Sequence, residues 1–151
     1  LEGEPVIVQV DVPPTQGAVA EALEQFVGDI MQRPPAFSAI KVGGRRAYAL
    51  ARQDKPVSLP ARPIQVHNIK LLSYEWPVAT VAITSGKGFY VRSLARDLGE
   101  ALGTGGCCRS IRRTAVGPFR IDDAIALDDV PDPLELHMLM PIDTALAKLE
   151  C

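Results

Sequence analysis

Between Val78 and Gly103 a strand pattern runs through a glycine turn directly into a helix pattern, and this junction constrains the chain more than any other stretch. Val78 to Thr84 alternates branched and small residues at strand period, whereas Leu94, Ala95, Leu98, Ala101 and Leu102 recur at helical spacing. Tyr90 and Arg92 fall where the strand gives way to the helix. Strand alternation predicts that these two project to one side while Val91 points to the other, into a core. Ser93 is expected as the helix N-cap and Gly103 as its stop. A phenol beside a guanidinium suits a flat polar ring and an anionic partner. A half-buried core aromatic next to a solvated cation fits the same two residues.

Around this junction the pattern predicts a strand over Pro5 to Val10, then a helix with Thr15 as N-cap. Val19, Leu23, Phe26 and Val27 lie on one face of that helix, which ends at Gly28. From Gln32 to Arg46 the paired prolines Pro34-Pro35 and the Gly43-Gly44 step exclude regular helix. Ala47 to Arg52 reads as helical. Arg62 to Leu72 is expected to form a strand with a bulge near His67-Asn68, joined through Tyr74 to Pro77 to the strand that begins at Val78. Gly103 to Gly106 reads as a flexible loop, and the acidic tail from Ile121 to Cys151 as short helices that cap the domain.

Charge is unevenly distributed. Although the net charge is −2, Gln32 to Arg62 carries Arg33, Lys41, Arg45, Arg46, Arg52, Lys55 and Arg62 against Asp54 alone. Gly86 to Arg120 again carries seven cations, among them Lys87, Arg92, Arg112 and Arg113, against Asp97 and Glu100. Two arginine-rich blocks in an otherwise acidic chain suit a polyanion, which overall charge could not attract; solvated faces paired with nearby acids would give the same composition.

At 151 residues, with 47% hydrophobic and 23% charged residues, the chain has the makings of one soluble domain. No apolar run is long enough to span a bilayer, and the acidic start Leu1-Glu2-Gly3-Glu4 is unlike a signal peptide, so a cytoplasmic protein is expected. Cys107, Cys108 and Cys151 do not form a disulfide framework, and Cys107 is expected as a small packed side chain. His67 and His137 are isolated, so the sequence implies no metal, and no phosphate loop or dinucleotide fingerprint implies a cofactor.

Three segments together closely resemble the tRNA pseudouridine synthase B (TruB-like) family. They are Gln32-Arg33-Pro34-Pro35-Ala36-Phe37-Ser38-Ala39-Ile40-Lys41 with Gly44, Tyr48 and Ala51-Arg52; Gly88 to Gly99; and Ile111-Arg112-Arg113 with Gly117-Pro118-Phe119. The resemblance runs in order from Leu1 to about Ala147. It implies an α+β fold, a mixed and mainly antiparallel sheet with flanking helices, incomplete at its N-terminus. It further implies a cofactor-free isomerase that converts a uridine of the tRNA T-loop (position 55) to pseudouridine after flipping the base out of the stack. In that pattern Tyr90 lies against the target uracil and Arg92 pairs with the catalytic aspartate, favouring its ionised form. Ile111 is an apolar wall of the base pocket, and Lys41, Arg45, Arg46, Arg112 and Arg113 contact RNA phosphates.

The family's aspartate motif, Gly-x-Leu-Asp-Pro-x-Ala-x-Gly, does not occur in this chain; Asp132-Pro133 lacks the surrounding glycines. The expectation is therefore the latter part of a catalytic domain over residues 1–135, the start of a C-terminal extension over 136–151, and a catalytic aspartate supplied by an upstream segment. The alternative is a non-catalytic RNA-binding protein that retains the basic surface.

Overall fold

A computed structural model describes residues 7–35, 38, 40–42, 45–46 and 59–149. The chain divides into two compact units, Leu1–Arg109 and Ser110–Cys151.

The first unit is built on a three-stranded antiparallel sheet. Its strands are β1 (Gly28–Gln32), β4 (Arg62–Glu75) and β5 (Val78–Ser85), in the order β1-β4-β5. Two short strands, β2 (Lys41–Val42) and β3 (Arg45–Arg46), pair antiparallel beside it in sequence, with Lys41 opposite Arg46. Helix α1 (Gln16–Glu24) packs on β4, and α2 (Val91–Ala101) packs on α1. Mixed helix and antiparallel sheet is thus the observed class.

α1 begins as its sequence predicts. The Thr15 hydroxyl accepts the Ala18 amide at 3.2 Å, satisfying one of the helix's unpaired donors. Val19 and Leu23, a turn apart, are buried, as are Val66 on β4, Leu94 on α2 and Leu59, and α1 packs against both β4 and α2. Each such side chain contributes about 1.5–3 kcal/mol in transfer from water. The helix ends at Glu24 and not at Gly28, so Val27 falls in the turn before β1 and is exposed.

The long strand β4 keeps one face inward by changing step twice. Ile64 and Val66 face in, a register shift between Val66 and Asn68 hands the inward position to Ile69 and Leu71, and a second shift between Leu71 and Ser73 hands it to Tyr74. Each extra residue flips the side-chain parity, so an interrupted alternation still buries one face. The bulge expected at His67-Asn68 is present. The strand runs on to Glu75, leaving only Trp76-Pro77 as the turn. The far end is tied down by the Tyr74 hydroxyl, which donates to the Pro14 carbonyl at 2.6 Å.

Three expectations need correction. Residues 7–10 form no strand, and Ile7 is 90% exposed; a run of branched residues becomes a strand only where a neighbouring ladder takes its amides. β1, which the sequence reading passed over, forms because β4 offers that ladder, pairing Gly28 with Val66 through Gln32 with Arg62. The glycine loop after α2 is packed: a Cβ on Gly99 would overlap the Gly105 carbonyl and the Gly106 amide, and the Thr104 and Gly105 amides both donate to the Gly99 carbonyl. Gly103, with φ +68°, ends the helix as expected, since that conformation favours glycine. The helix expected at Ala47 to Arg52 lies outside the described residues.

The second unit holds a hairpin of β6 (Ala115–Val116) and β7 (Phe119–Arg120) around Gly117, closed by the Ile121 amide donating to the Thr114 carbonyl at 2.8 Å. Three single 3-10 turns follow, at Ile121–Asp123, Leu127–Asp129 and Leu136–Met138, and then helix α3 (Ile142–Leu149). The short helical pieces expected of the acidic tail are there.

Candidate active site

The site forms where the end of β1 meets the start of α2. Tyr90 is the N-cap of α2, with extended φ −114° and ψ 109°, and Arg92 is the second residue of the helix, exposed in its first turn. This corrects two expectations. β5 ends at Ser85, so strand alternation does not relate Tyr90 to Arg92; helical geometry already holds at Val91, which is half-buried. Nor is Ser93 the cap. It lies inside the first turn, fully buried, and its hydroxyl donates to the Arg33 carbonyl at 2.7 Å.

Gln32 supplies the cap that Tyr90 itself lacks. Its side-chain oxygen accepts the Tyr90 amide at 2.8 Å and its side-chain nitrogen donates to the Tyr90 carbonyl at 3.1 Å. The glutamine is 3% exposed, so both bonds are shielded from competing water. The next residue of the chain adds to the splice: the Arg33 carbonyl also accepts a guanidinium N–H of Arg96 at 3.0 Å, and Arg96 forms an ion pair with Asp97 at 2.7 Å. The start of α2 is therefore held to the end of β1 by four hydrogen bonds, two on each of the adjoining residues Gln32 and Arg33. A helix N-terminus carries unpaired amides and positive potential, and Arg92 adds a full charge to it. Such an end suits a carboxylate or phosphate.

Half-buried Tyr90 lines a cavity of about 250 Å³ together with Gln32, Pro34, Ile40, Pro63 and Ile64. Arg62 and Lys87 complete it, with Gly88 between Lys87 and the phenol's chain segment. Apolar walls, one phenol and flanking cations can hold a flat ring attached to an anion. A larger hollow of about 430 Å³ at the Trp76 end of the hairpin contains none of these residues.

The remaining expected site residues divide into two groups. Lys41, Arg45 and Arg46 lie on the paired strands β2 and β3 of the first unit. Ile111, Arg112 and Arg113 lie in the second unit, all exposed on irregular chain ahead of β6, with Ile111 at 58%. Sequence reasoning assigned no role to Gln32, Arg62 or Lys87. Gln32 is one residue of the segment that carries the family resemblance, and Arg62 and Lys87 stand out in the sequence only as charge. Cys107 is exposed, not packed, on the irregular stretch from residue 105 to 114. Among the described residues no group of His, Cys, Asp and Glu could hold a metal ion, and no helix is long and apolar enough to cross a membrane.

Comparison with known proteins gives the family and the fold. A chain in the crystal structure of a Cbf5-Nop10-Gar1 complex is similar over 92% of this chain and 40% of its own length, with a TM-score of 0.68 and 28% identity. Residues 1–91 match the TruB family pseudouridylate synthase N-terminal domain, and residues 92–147 the tRNA pseudouridylate synthase B C-terminal domain. The chain belongs to the TruB family of pseudouridylate synthases. A protein named tRNA pseudouridine synthase B from Corynebacterium aurimucosum is 46% identical over 97% of this chain and 48% of its own length. One of the same name from Ruegeria pomeroyi is 46% identical over 98% of this chain and 50% of its own. The chain spans about half the length of the curated relatives it matches.

Proposed function

We propose that this chain carries the Tyr90 and Arg92 side of an active site that isomerises a T-loop uridine of tRNA to pseudouridine. The reaction breaks the bond from ribose to the ring nitrogen, turns the uracil and rejoins it through carbon. The base must first leave the RNA stack. Tyr90 packs against the extruded uracil in its cavity, and Arg92 holds a carboxylate ionised and oriented. That carboxylate comes from residues outside these 151: the family's aspartate motif is absent from the sequence, and no acid stands among the described residues lining the cavity. Lys41, Arg45 and Arg46 of the first unit contact RNA phosphates, and in the second unit Arg112 and Arg113 do the same while Ile111 offers an exposed apolar side chain to the RNA. An activity on tRNA makes the cytoplasm its compartment.

One observation carries this reading above all. In a member of this family, Tyr90 opens onto a cation-rimmed cavity with no acid among its described lining residues, at the helix end that also bears Arg92. The test is conversion of uridine to pseudouridine in a tRNA T-arm transcript. The 151 residues alone should bind the transcript and convert none, and joining them to a family segment that bears the Gly-x-Leu-Asp-Pro motif should produce turnover. Turnover by the chain alone would refute the division of the site.

A further inference from the structure

We propose that Arg62 and Lys87 form a phosphate-binding pair at the Tyr90 cavity, taking one backbone phosphate of the RNA strand whose base enters it. The inference rests on the RNA-directed function proposed above and adds the residues that grip the backbone beside the extruded base.

The fold brings the two cations together from different strand ends. Arg62 opens β4 opposite Gln32 of β1. Lys87 sits in the turn that leaves β5, and that turn is fastened back over β4 by the Gly86 amide, which donates to the Gln65 carbonyl at 2.8 Å. Gly88, with φ +90°, continues the turn so closely over β4 that a Cβ there would stand 3.4 Å from the Ile64 methyl. Side chains 25 positions apart in sequence thereby line one cavity with Tyr90.

Among the described residues their charges have no partner within the site. None of the described residues lining the cavity is acidic, and the ion pairs found among the described residues involve Arg96, Arg120 and His137 instead. Two exposed cations on one cavity repel each other unless an anion joins them. The fork of Arg62 and the mobile ammonium of Lys87 are complementary donors for a phosphate, the first directional and the second a point charge. The cavity behind them, about 250 Å³, exceeds the roughly 150 Å³ that accommodates a benzene ring. One six-membered base fits the apolar interior while its phosphate stays at the charged edge. Phosphate contacts of this kind position a strand without reading its sequence.

Binding of a T-arm stem-loop RNA to the 151-residue chain, measured from low to moderate salt, tests the pair. Arg62→Ala and Lys87→Ala should each weaken binding several-fold at low salt and reduce the slope of log K against log salt by about 1. Lys70→Ala, an exposed cation in mid-β4 away from the cavity, should leave both unchanged. A second arm replaces single phosphates of the loop with neutral methylphosphonates. At one linkage beside the target uridine, the cost of Arg62→Ala and of Lys87→Ala should vanish.

Wild-type binding with an ordinary salt slope that neither alanine alters would overturn the pair and leave the RNA-directed reading standing. An alanine cost that survives every neutral linkage would likewise overturn it. Failure of the wild-type chain to bind the RNA would overturn both. Both side chains are exposed, and unchanged thermal unfolding of the variants separates lost binding from lost fold.

Discussion

The carboxamide of Gln32 grips both the amide and the carbonyl of Tyr90, at 2.8 Å and 3.1 Å, across 58 residues of sequence. A buried polar group is stable only when satisfied, so this pair fixes where the α2 N-terminus lies against β1 and with it the direction from which Tyr90 enters its cavity. Gln32→Leu keeps the volume and removes both bonds. It should lower unfolding stability by about 1–3 kcal/mol, read by urea denaturation. Gln32→Glu retains the acceptor for the amide but turns a carboxylate oxygen towards the Tyr90 carbonyl, and should be at least as damaging. Stabilities equal to wild type would show that the grip does not hold the helix.

Ser93 tests the neighbouring splice on a smaller scale. Ser93→Ala removes a single hydrogen bond to the Arg33 carbonyl, which still receives Arg96, so about 1 kcal/mol should be lost. The measurement is the urea midpoint at unchanged slope. A Ser93→Ala variant as stable as wild type would assign the bond no net value.

Gly99→Ala should be far worse, although alanine favours helix by about 1 kcal/mol over glycine. The new methyl meets the backbone of Gly105 and Gly106, not a flexible side-chain end, so it has nowhere to turn. A loss of about 2 kcal/mol or more in unfolding free energy is expected, at the upper range of overpacked sites. Gly103→Ala makes a useful contrast: nothing stands within 4 Å of its added methyl, and its cost comes from φ +68° alone. A Gly99→Ala protein no less stable than Gly103→Ala would refute the close packing of that loop on the helix.

For catalysis the phenol itself can be divided. In an enzyme carrying the aspartate motif, Tyr90→Phe should keep RNA affinity and lower the rate if the hydroxyl moves a proton, whereas Tyr90→Leu should also lose the stacking contact, worth about 1–3 kcal/mol per base. Rate and affinity measured on T-arm RNA distinguish them. A fully active Tyr90→Leu enzyme would remove the ring from the uracil's side.

How much of this was legible in the residues follows a physical boundary. α1 was readable because its cap and its apolar stripe are both local, and Gly103 marked the end of α2 for the same reason. β4 was recognisable up to Leu72, but its two bulges break the alternation that a strand is read by. β1 has only five residues, and its existence depends on pairing with residues of β4 that lie 30 to 38 positions later. Ser93 is a good capping residue by type, yet Gln32 caps the backbone from another strand and frees Ser93 to bond Arg33. The site shows the same division. Tyr90 and Arg92 stood out because chemistry and sequence proximity coincide there, whereas Arg62 and Lys87 become partners only through the β4–β5 pairing and the turn that closes it.

The account stands or falls on what Arg92 does at the head of α2. In an enzyme that contains the aspartate motif, single-turnover pseudouridine formation and RNA affinity should be measured side by side for Arg92→Ala. The account predicts a rate about 10²–10³-fold lower, the usual cost of removing one preorganised electrostatic contact, with affinity changed by no more than a few-fold. An unchanged rate, or rate and affinity falling in equal proportion, would contradict it.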